Sequence, residues 1–285
     1  MSKFIFSGFG DEISPDLTKQ MEVLGSIGIK ALEIRRVNEV PIAQQSIEAV
    51  QKIKSQLDAK GFIISAMGSA VGKSNIHDDF EEHLKEFRRI MDYADILGTK
   101  KIRMFSFVIP DEEDPYKYTD EVLRRLEIML KEAVKRDFLL IHENEKPVYG
   151  NNAIRCEIIM RNLYCENFKA AFDPANFVQV GQIPYPDAWE LLKKYVVHMH
   201  VKDALYANKK VTVVGEGEGE VKKILTELYK SDYEGFLVLE PHIADYAGHI
   251  DLSGEKSTFG DGPTGFRAAA KALFDMLNEI KKENS

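Results

Sequence analysis

Cysteine is nearly absent from this chain. Cys156 and Cys165 are the only two in 285 residues, which leaves no disulfide framework and no paired CxxC zinc signal. They read as ordinary thiols of a reducing, cytoplasmic setting. Long apolar runs are missing too: none reaches the roughly 18 residues that a membrane span needs. Excess positive charge is also lacking. With 38 Lys and Arg against 46 Asp and Glu, the formal charge is -8, and no basic stripe stands out to mark a nucleic-acid footprint. Nor does a Gly-x-Gly-x-x-Gly follow the first strand-like run, so the dinucleotide fingerprint is excluded.

What is present is a chain that is 44% hydrophobic, enough for a large core. It opens almost directly on a strand-like run, Phe4-Ile5-Phe6. Ser14 and Pro15 follow as an expected N-cap and first-turn proline. Leu17, Met21, Leu24 and Ile27 then fall at helical spacing, and Gly28 stops them. The same alternation repeats along the chain. Strands are predicted at 31–35, 62–66, 101–105, 138–143, 169–173, within 195–203 and at 236–240. Helices are predicted between them, the clearest capped by Asp78 or Asp79 and carrying Leu84, Phe87, Ile90, Met91, Ala94 and Leu97 up to Gly98. Strict strand–helix alternation over eight units predicts an α/β fold, a single-domain (β/α)8 TIM barrel over residues 1–285, because parallel crossovers return on the same side. No composition shift marks a second domain.

Four of these strands end abruptly in polar groups. They are Leu139-Leu140-Ile141-His142-Glu143-Asn144-Glu145, Lys169-Ala170-Ala171-Phe172-Asp173-Pro174, Tyr195-Val196-Val197-His198-Met199-His200-Val201-Lys202-Asp203 and Phe236-Leu237-Val238-Leu239-Glu240-Pro241-His242. A barrel presents its chemistry at the carboxyl ends of its strands. Glu143, Asp173, His200 and Glu240, on four consecutive strands, therefore form a candidate site for one divalent cation. Three carboxylates and one imidazole are a hard, oxygen-rich set suited to Mn2+, Mg2+ or Co2+, with Zn2+ also compatible. His198 and His200 share a strand face but lie about 6.6 Å apart along it, so one cation will not easily take both. His200, nearer the carboxyl end, is the expected ligand; His198 is expected to support it from within the core.

Taken together, Glu143-Asn144-Glu145, Asp173-Pro174-Ala175-Asn176, His198-Met199-His200-Val201-Lys202-Asp203 and Glu240-Pro241 resemble the sugar phosphate isomerase/epimerase family of xylose isomerase-like (AP endonuclease family 2) barrels. The inosose isomerase and ketose 3-epimerase type is nearest. The resemblance implies one divalent metal held by Glu143, Asp173, His200 and Glu240. It also implies Glu143 and Glu240 as the acid/base pair that moves a proton next to a substrate carbonyl, through an enediolate. Glu145 competes for the base role. Ketose 3-epimerases usually carry a histidine where this chain has Asn176 and an arginine where it has Tyr206, so the substrate is expected to differ.

Arg103, Glu145, Lys202 and His242 are candidates for substrate contact, and for Arg103 an ion pair with Glu33 is the equal alternative. The run Gly215-Glu216-Gly217-Glu218-Gly219-Glu220 has glutamates that would repel a phosphate, so a flexible loop entering the next helix is expected. A long loop over 241–264, with Gly248, Gly254, Gly260 and Gly262, is a lid or a surface excursion. The expected function is a metal-dependent isomerase or epimerase acting on a small sugar, ketose or polyol, with homo-oligomerisation open. The alternative is a dehydratase of the 3-dehydroshikimate or inosose type. An AP endonuclease would need more strand-end histidines and a less acidic surface, and a non-catalytic sugar-binding barrel is the remaining rival.

Overall fold

Strand after strand, one face carries branched or aromatic side chains and the other carries smaller or polar ones, and a closed ring lets both be buried. The computed structural model describes residues 3–231, 233–244 and 259–284. Its parallel strands are β1 (Lys3–Gly8), β2 (Ala31–Ile34), β3 (Ile63–Gly68), β4 (Lys101–Met104), β5 (Leu139–Glu143), β6 (Phe168–Phe172), β7 (Val196–Val201) and β8 (Glu234–Leu239). Each pairs with its sequence neighbours and β8 closes on β1, so the barrel is complete. This is the (β/α)8 TIM barrel that the alternation predicts.

Around it lie α1 (Leu17–Ser26), α2 (Ile47–Ala59), α3 (Phe80–Leu97), α4 (Thr119–Lys135), α5 (Ala153–Leu163), α6 (Pro174–Gln179), α7 (Trp189–Leu192), α8 (Val221–Lys230) and α9 (Gly262–Glu283). Side-chain oxygens of Asp16, Ser46, Asp79, Asn152, Asp173 and Asp261 accept from the first-turn N–H groups that these helices leave unpaired. Gly98 ends α3 at φ 79°, a left-handed conformation natural to glycine. The cap of α1 is Asp16, not Ser14: Asp16 Oδ1 accepts from Lys19 N at 2.8 Å, while Ser14 Oγ is spent on Asp16 N. Asp173 likewise lies beyond its strand, and Pro174 begins a helix absent from the sequence-based expectation.

The main core fills the space between strands and helices. Leu32, Ile34, Met199, Val201, Leu237 and Leu239 face it. The barrel interior holds a small apolar cluster of Phe9, Ala31, Phe236 and Val238. Above it come buried polar side chains: Ser7 and Ser65, joined Oγ to Oγ at 2.7 Å, then Glu33, Arg103, His198 and His200. Polar groups packed this deeply need partners to offset their lost hydration. Those partners make the site.

No described helix is long and apolar enough to cross a membrane. Cys156 and Cys165 are free thiols. Of the expected lid, residues 245–258, with Gly248 and Gly254, lie outside the described residues; Gly262 opens α9.

Candidate metal centre

Register brings the four strand-end groups together. Glu143 is the last residue of β5, Asp173 follows β6, His200 is next to last in β7, and Glu240 follows β8. One ligand atom from each lies within 4.8 Å of all the others, and all four residues are buried. The structure therefore gathers Glu143, Asp173, His200 and Glu240 at one point of the barrel mouth.

The two glutamates are arranged alike. Glu143 Oε1 faces His200 Nδ1 at 2.9 Å, and its Oε2 meets Arg103 Nε at 3.2 Å. Glu240 Oε2 faces the same Nδ1 at 3.1 Å, and its Oε1 meets Arg35 Nη1 at 3.0 Å. Each carboxylate thus turns one oxygen to the centre and gives the other to an arginine. Asp173 Oδ1 caps α6 through Asn176 N at 3.0 Å. Its Oδ2 is buried without a directional hydrogen bond, although the Lys202 ammonium stands 2.7 Å away. Burial raises the Asp173 pKa to about 6 against the opposing pull of Lys202, with Glu240 and Glu143 adding to the rise. Hard oxygens crowded at one point, one of them lacking a donor in line, fit a divalent cation. Burial alone would lower the His200 pKa, but Glu143 and Glu33 hold it well above the usual histidine value. The field at this point favours positive charge.

Behind the centre, Glu33 Oε2 accepts from His198 Nε2 at 2.7 Å and faces His200 Nε2 at 3.3 Å, while Glu33 Oε1 meets Arg103 Nε at 3.3 Å. Burial would raise the Glu33 pKa, yet His200 and His198 hold it well below the carboxylate range. The two imidazoles converge more than their spacing along the strand suggests. Glu33, His198 and His200 also bring ligand atoms within 4.8 Å of one another. Glu33 is already engaged by Arg103 and both histidines, so this group is a hydrogen-bonded support.

The remaining candidates divide. Arg103 is buried, with Nη1 on Ser69 O at 2.8 Å and Nε between Glu33 and Glu143, so the structure places it in the ion-pair arrangement. Lys202 bridges Asp173 and Glu240. Glu145 Oε2 pairs with Lys73 at 2.9 Å, which with Lys202 lowers its pKa despite burial. His242, at φ 47°, sets Nε2 3.2 Å from Glu12 Oε1 and 3.4 Å from Glu240 Oε1. Asn176 Nδ2 donates to Asn144 O at 2.9 Å and lies 3.4 Å from Glu143 Oε1. Tyr206 OH donates to Gln182 O.

Sequence reasoning missed Arg35, Asp11 and Glu12. Arg35 Nε meets Asp11 Oδ2 at 2.8 Å, its Nη2 meets Glu12 Oε1 at 3.3 Å, and its guanidinium stacks 4.4 Å from the centre of the Phe9 ring. The one available signal is that Arg35 shares the inward face of the second strand with Glu33.

The loop over 215–220 does lead into α8, but flexibility is the wrong description. Asp203 Oδ2 accepts from Gly215 N at 2.9 Å and Gly217 N at 3.2 Å, and its Oδ1 accepts from Gly219 N at 2.8 Å. The glycines do cradle an anion, and it is the chain's own carboxylate.

A sequence profile described as xylose isomerase-like TIM barrel matches residues 21–276. The chain belongs to this family. Among solved structures, this xylose isomerase-like barrel is similar to a D-psicose 3-epimerase, solved with D-tagatose, from Clostridium cellulolyticum H10 (15% identity, 97% of this chain and 99% of that one, TM-score 0.76). It is also similar to a probable 3-DHS dehydratase from Bacillus anthracis (16% identity, 96% and 99%, TM-score 0.71). A third similar structure is a xylose isomerase domain protein from Alicyclobacillus acidocaldarius subsp. acidocaldarius (16% identity, 98% and 99%, TM-score 0.70). Likenesses at this identity speak for the fold alone. No curated protein matches the chain in sequence.

Proposed function

We propose that this barrel is a divalent-metal-dependent isomerase or epimerase of a small sugar, ketose or polyol-derived carbonyl compound, working in the cytoplasm. The observation that carries the reading is the convergence of Glu143, Asp173, His200 and Glu240 within 4.8 Å. These four would hold Mn2+, Mg2+ or Co2+, in keeping with their oxygen-rich set. When bound, the cation supplies Lewis-acid stabilisation of negative charge on substrate oxygens beside the carbon that loses its proton.

The protein's own groups do the rest. Glu143 Oε1 and Glu240 Oε2 lie 2.9 and 3.1 Å from His200 Nδ1, so one can take a proton from a substrate carbon while the other returns one. Arg103 and Arg35 each hold the outer oxygen of one glutamate, which fixes the pair before substrate arrives. Lys202, beside Asp173 and Glu240, is placed to donate to a substrate oxygen. Asn176 and Tyr206 are committed to other contacts, in keeping with a substrate other than the ketose of a 3-epimerase.

A dehydratase is the second reading, favoured by one feature. The Lys202 ammonium lies 3.4 Å from Glu240 Oε2 and could protonate a departing hydroxyl while Glu240 takes the carbon proton. Incubating the Mn2+-loaded protein in D2O with a panel of ketoses, polyol-derived ketones and their acids separates the outcomes. Deuterium incorporated without loss of water supports the isomerase, and a product lighter by one water supports the dehydratase. Metal uptake with no turnover across the panel would leave a sugar-binding barrel.

A further inference from the structure

Beside the centre lies a group of cations of which the reaction described above uses only Lys202. Lys73 follows β3, Lys146 follows β5 and Lys202 follows β7, so all three lie in loops at the carboxyl end of the strands, and Lys146 lies near enough to feel the charge of the other two. Lys73 is answered by Glu145 at 2.9 Å, and Lys202 by Asp173 at 2.7 Å and Glu240 at 3.4 Å. Lys146 is different. Its ammonium is held by the neutral side-chain oxygen of Gln179, and among the described residues no carboxylate comes within ion-pair distance of it.

Lys73 is exposed, Lys146 half-buried and Lys202 buried, and like charges brought together repel one another. Burial and Lys202, with a smaller push from Lys73, lower the Lys146 pKa to about 8 against the opposing pull of Glu145 and Asp173. An oxyanion at this point would give the Lys146 ammonium the counter-charge that Gln179 does not supply.

We propose that Lys146, flanked by Lys73 and Lys202, binds an oxyanion carried by the substrate, a carboxylate or a phosphate monoester. The site then selects acidic carbonyl compounds over neutral sugars. This rests on the metal-centre reading for its place in catalysis, but the anion site can be tested without it. The long stem and point charge of lysine suit an oxyanion held at the rim while the rest of the substrate reaches the glutamates.

The test is calorimetric titration of the full chain, metal-free and Mg2+-loaded, with methyl phosphate, with glycolate and with neutral ethylene glycol. Wild type is expected to bind one of the two anions and not the diol. Lys146→Met should weaken that anion by about tenfold or more, the scale of a lost charge-assisted contact, and leave Mg2+ affinity unchanged. Lys146→Arg should restore anion binding. Methyl phosphate and glycolate tell the two sources of charge apart. Binding of neither anion, or an unchanged affinity in a folded Lys146→Met protein, overturns the proposal. Mg2+ uptake without anion binding retires the oxyanion site and leaves the centre standing. Lys146-dependent anion binding without Mg2+ uptake upholds the oxyanion site and removes Mg2+ from the metals of the centre.

Discussion

Glu33 Oε2 stands 3.3 Å from His200 Nε2, and this one contact settles which way the imidazole faces. With Nε2 turned to Glu33, Nδ1 is left to Glu143 and Glu240. A carboxylate behind a ligand histidine fixes both its tautomer and its ring orientation. Glu33→Gln keeps the shape and weakens the hold. Mn2+ affinity by calorimetry is expected to fall about 10- to 100-fold, with circular dichroism unchanged.

Asp203 does the corresponding work for the loop over 215–220. Its carboxylate accepts from the N–H groups of Ala204, Gly215, Gly217 and Gly219. A Cβ at Gly217 would fall 2.3 Å from Asp203 Oδ1, so glycine is required there for close approach. Asp203→Ala leaves buried donors unmatched and is expected to cost about 1–3 kcal/mol in urea unfolding. Faster amide exchange at Gly215, Gly217 and Gly219 should accompany it. Wild-type exchange at these amides would count against the anchoring role.

Much of this is legible in the sequence, because strand faces repeat every second residue. In the seventh strand, His198 and His200 face inward while Met199 and Val201 face the helices, as alternation requires. Abrupt polar ends mark Glu143, Asp173 and Glu240 for the same reason. Pairing across the ring is harder to read. Arg35 meets Glu240 across 205 positions, and nothing local to either residue announces it. Lys146 beside Gln179 depends on how two separate loops fold back over the mouth. The glycine–glutamate run suggests mobility until Asp203 is seen inside it. Asp173 reads as strand because the helix it caps is only six residues long.

Two buried histidines outside the centre make stability depend on acid. Burial, with help from Arg125, lowers the His83 pKa to about 4, and burial lowers that of His142 to about 3. In the unfolded chain both would titrate near the ordinary histidine value of about 6.5. Above that value neither state binds the proton and the full stability is present. As pH falls from there toward the folded values, the unfolded chain binds more protons and stability is lost. His83 alone should contribute a loss of about 2 kcal/mol between pH 7 and pH 5. Urea midpoints at the two pH values measure it. His83→Gln, which can still accept from Gly72 N, should show a shallower decline.

Glu240 is assigned a proton-transfer role, and its carboxylate is paired with Arg35, His242 and Lys202. Glu240→Gln should leave the barrel folded. Proton exchange at the substrate carbon, followed by NMR in D2O, should slow by about 10²- to 10⁴-fold. Exchange at the wild-type rate would remove Glu240 from the acid/base pair.

Four distant groups holding one cation is the arrangement on which the proposed chemistry depends, and titration of Mn2+ into the metal-free chain reads it directly. Wild type is expected to take up one equivalent per chain, and Glu143→Gln, folded as judged by circular dichroism, to bind about 100-fold more weakly or not at all. A wild-type chain that takes up no Mn2+, or a Glu143→Gln chain that binds it as wild type does, would contradict it.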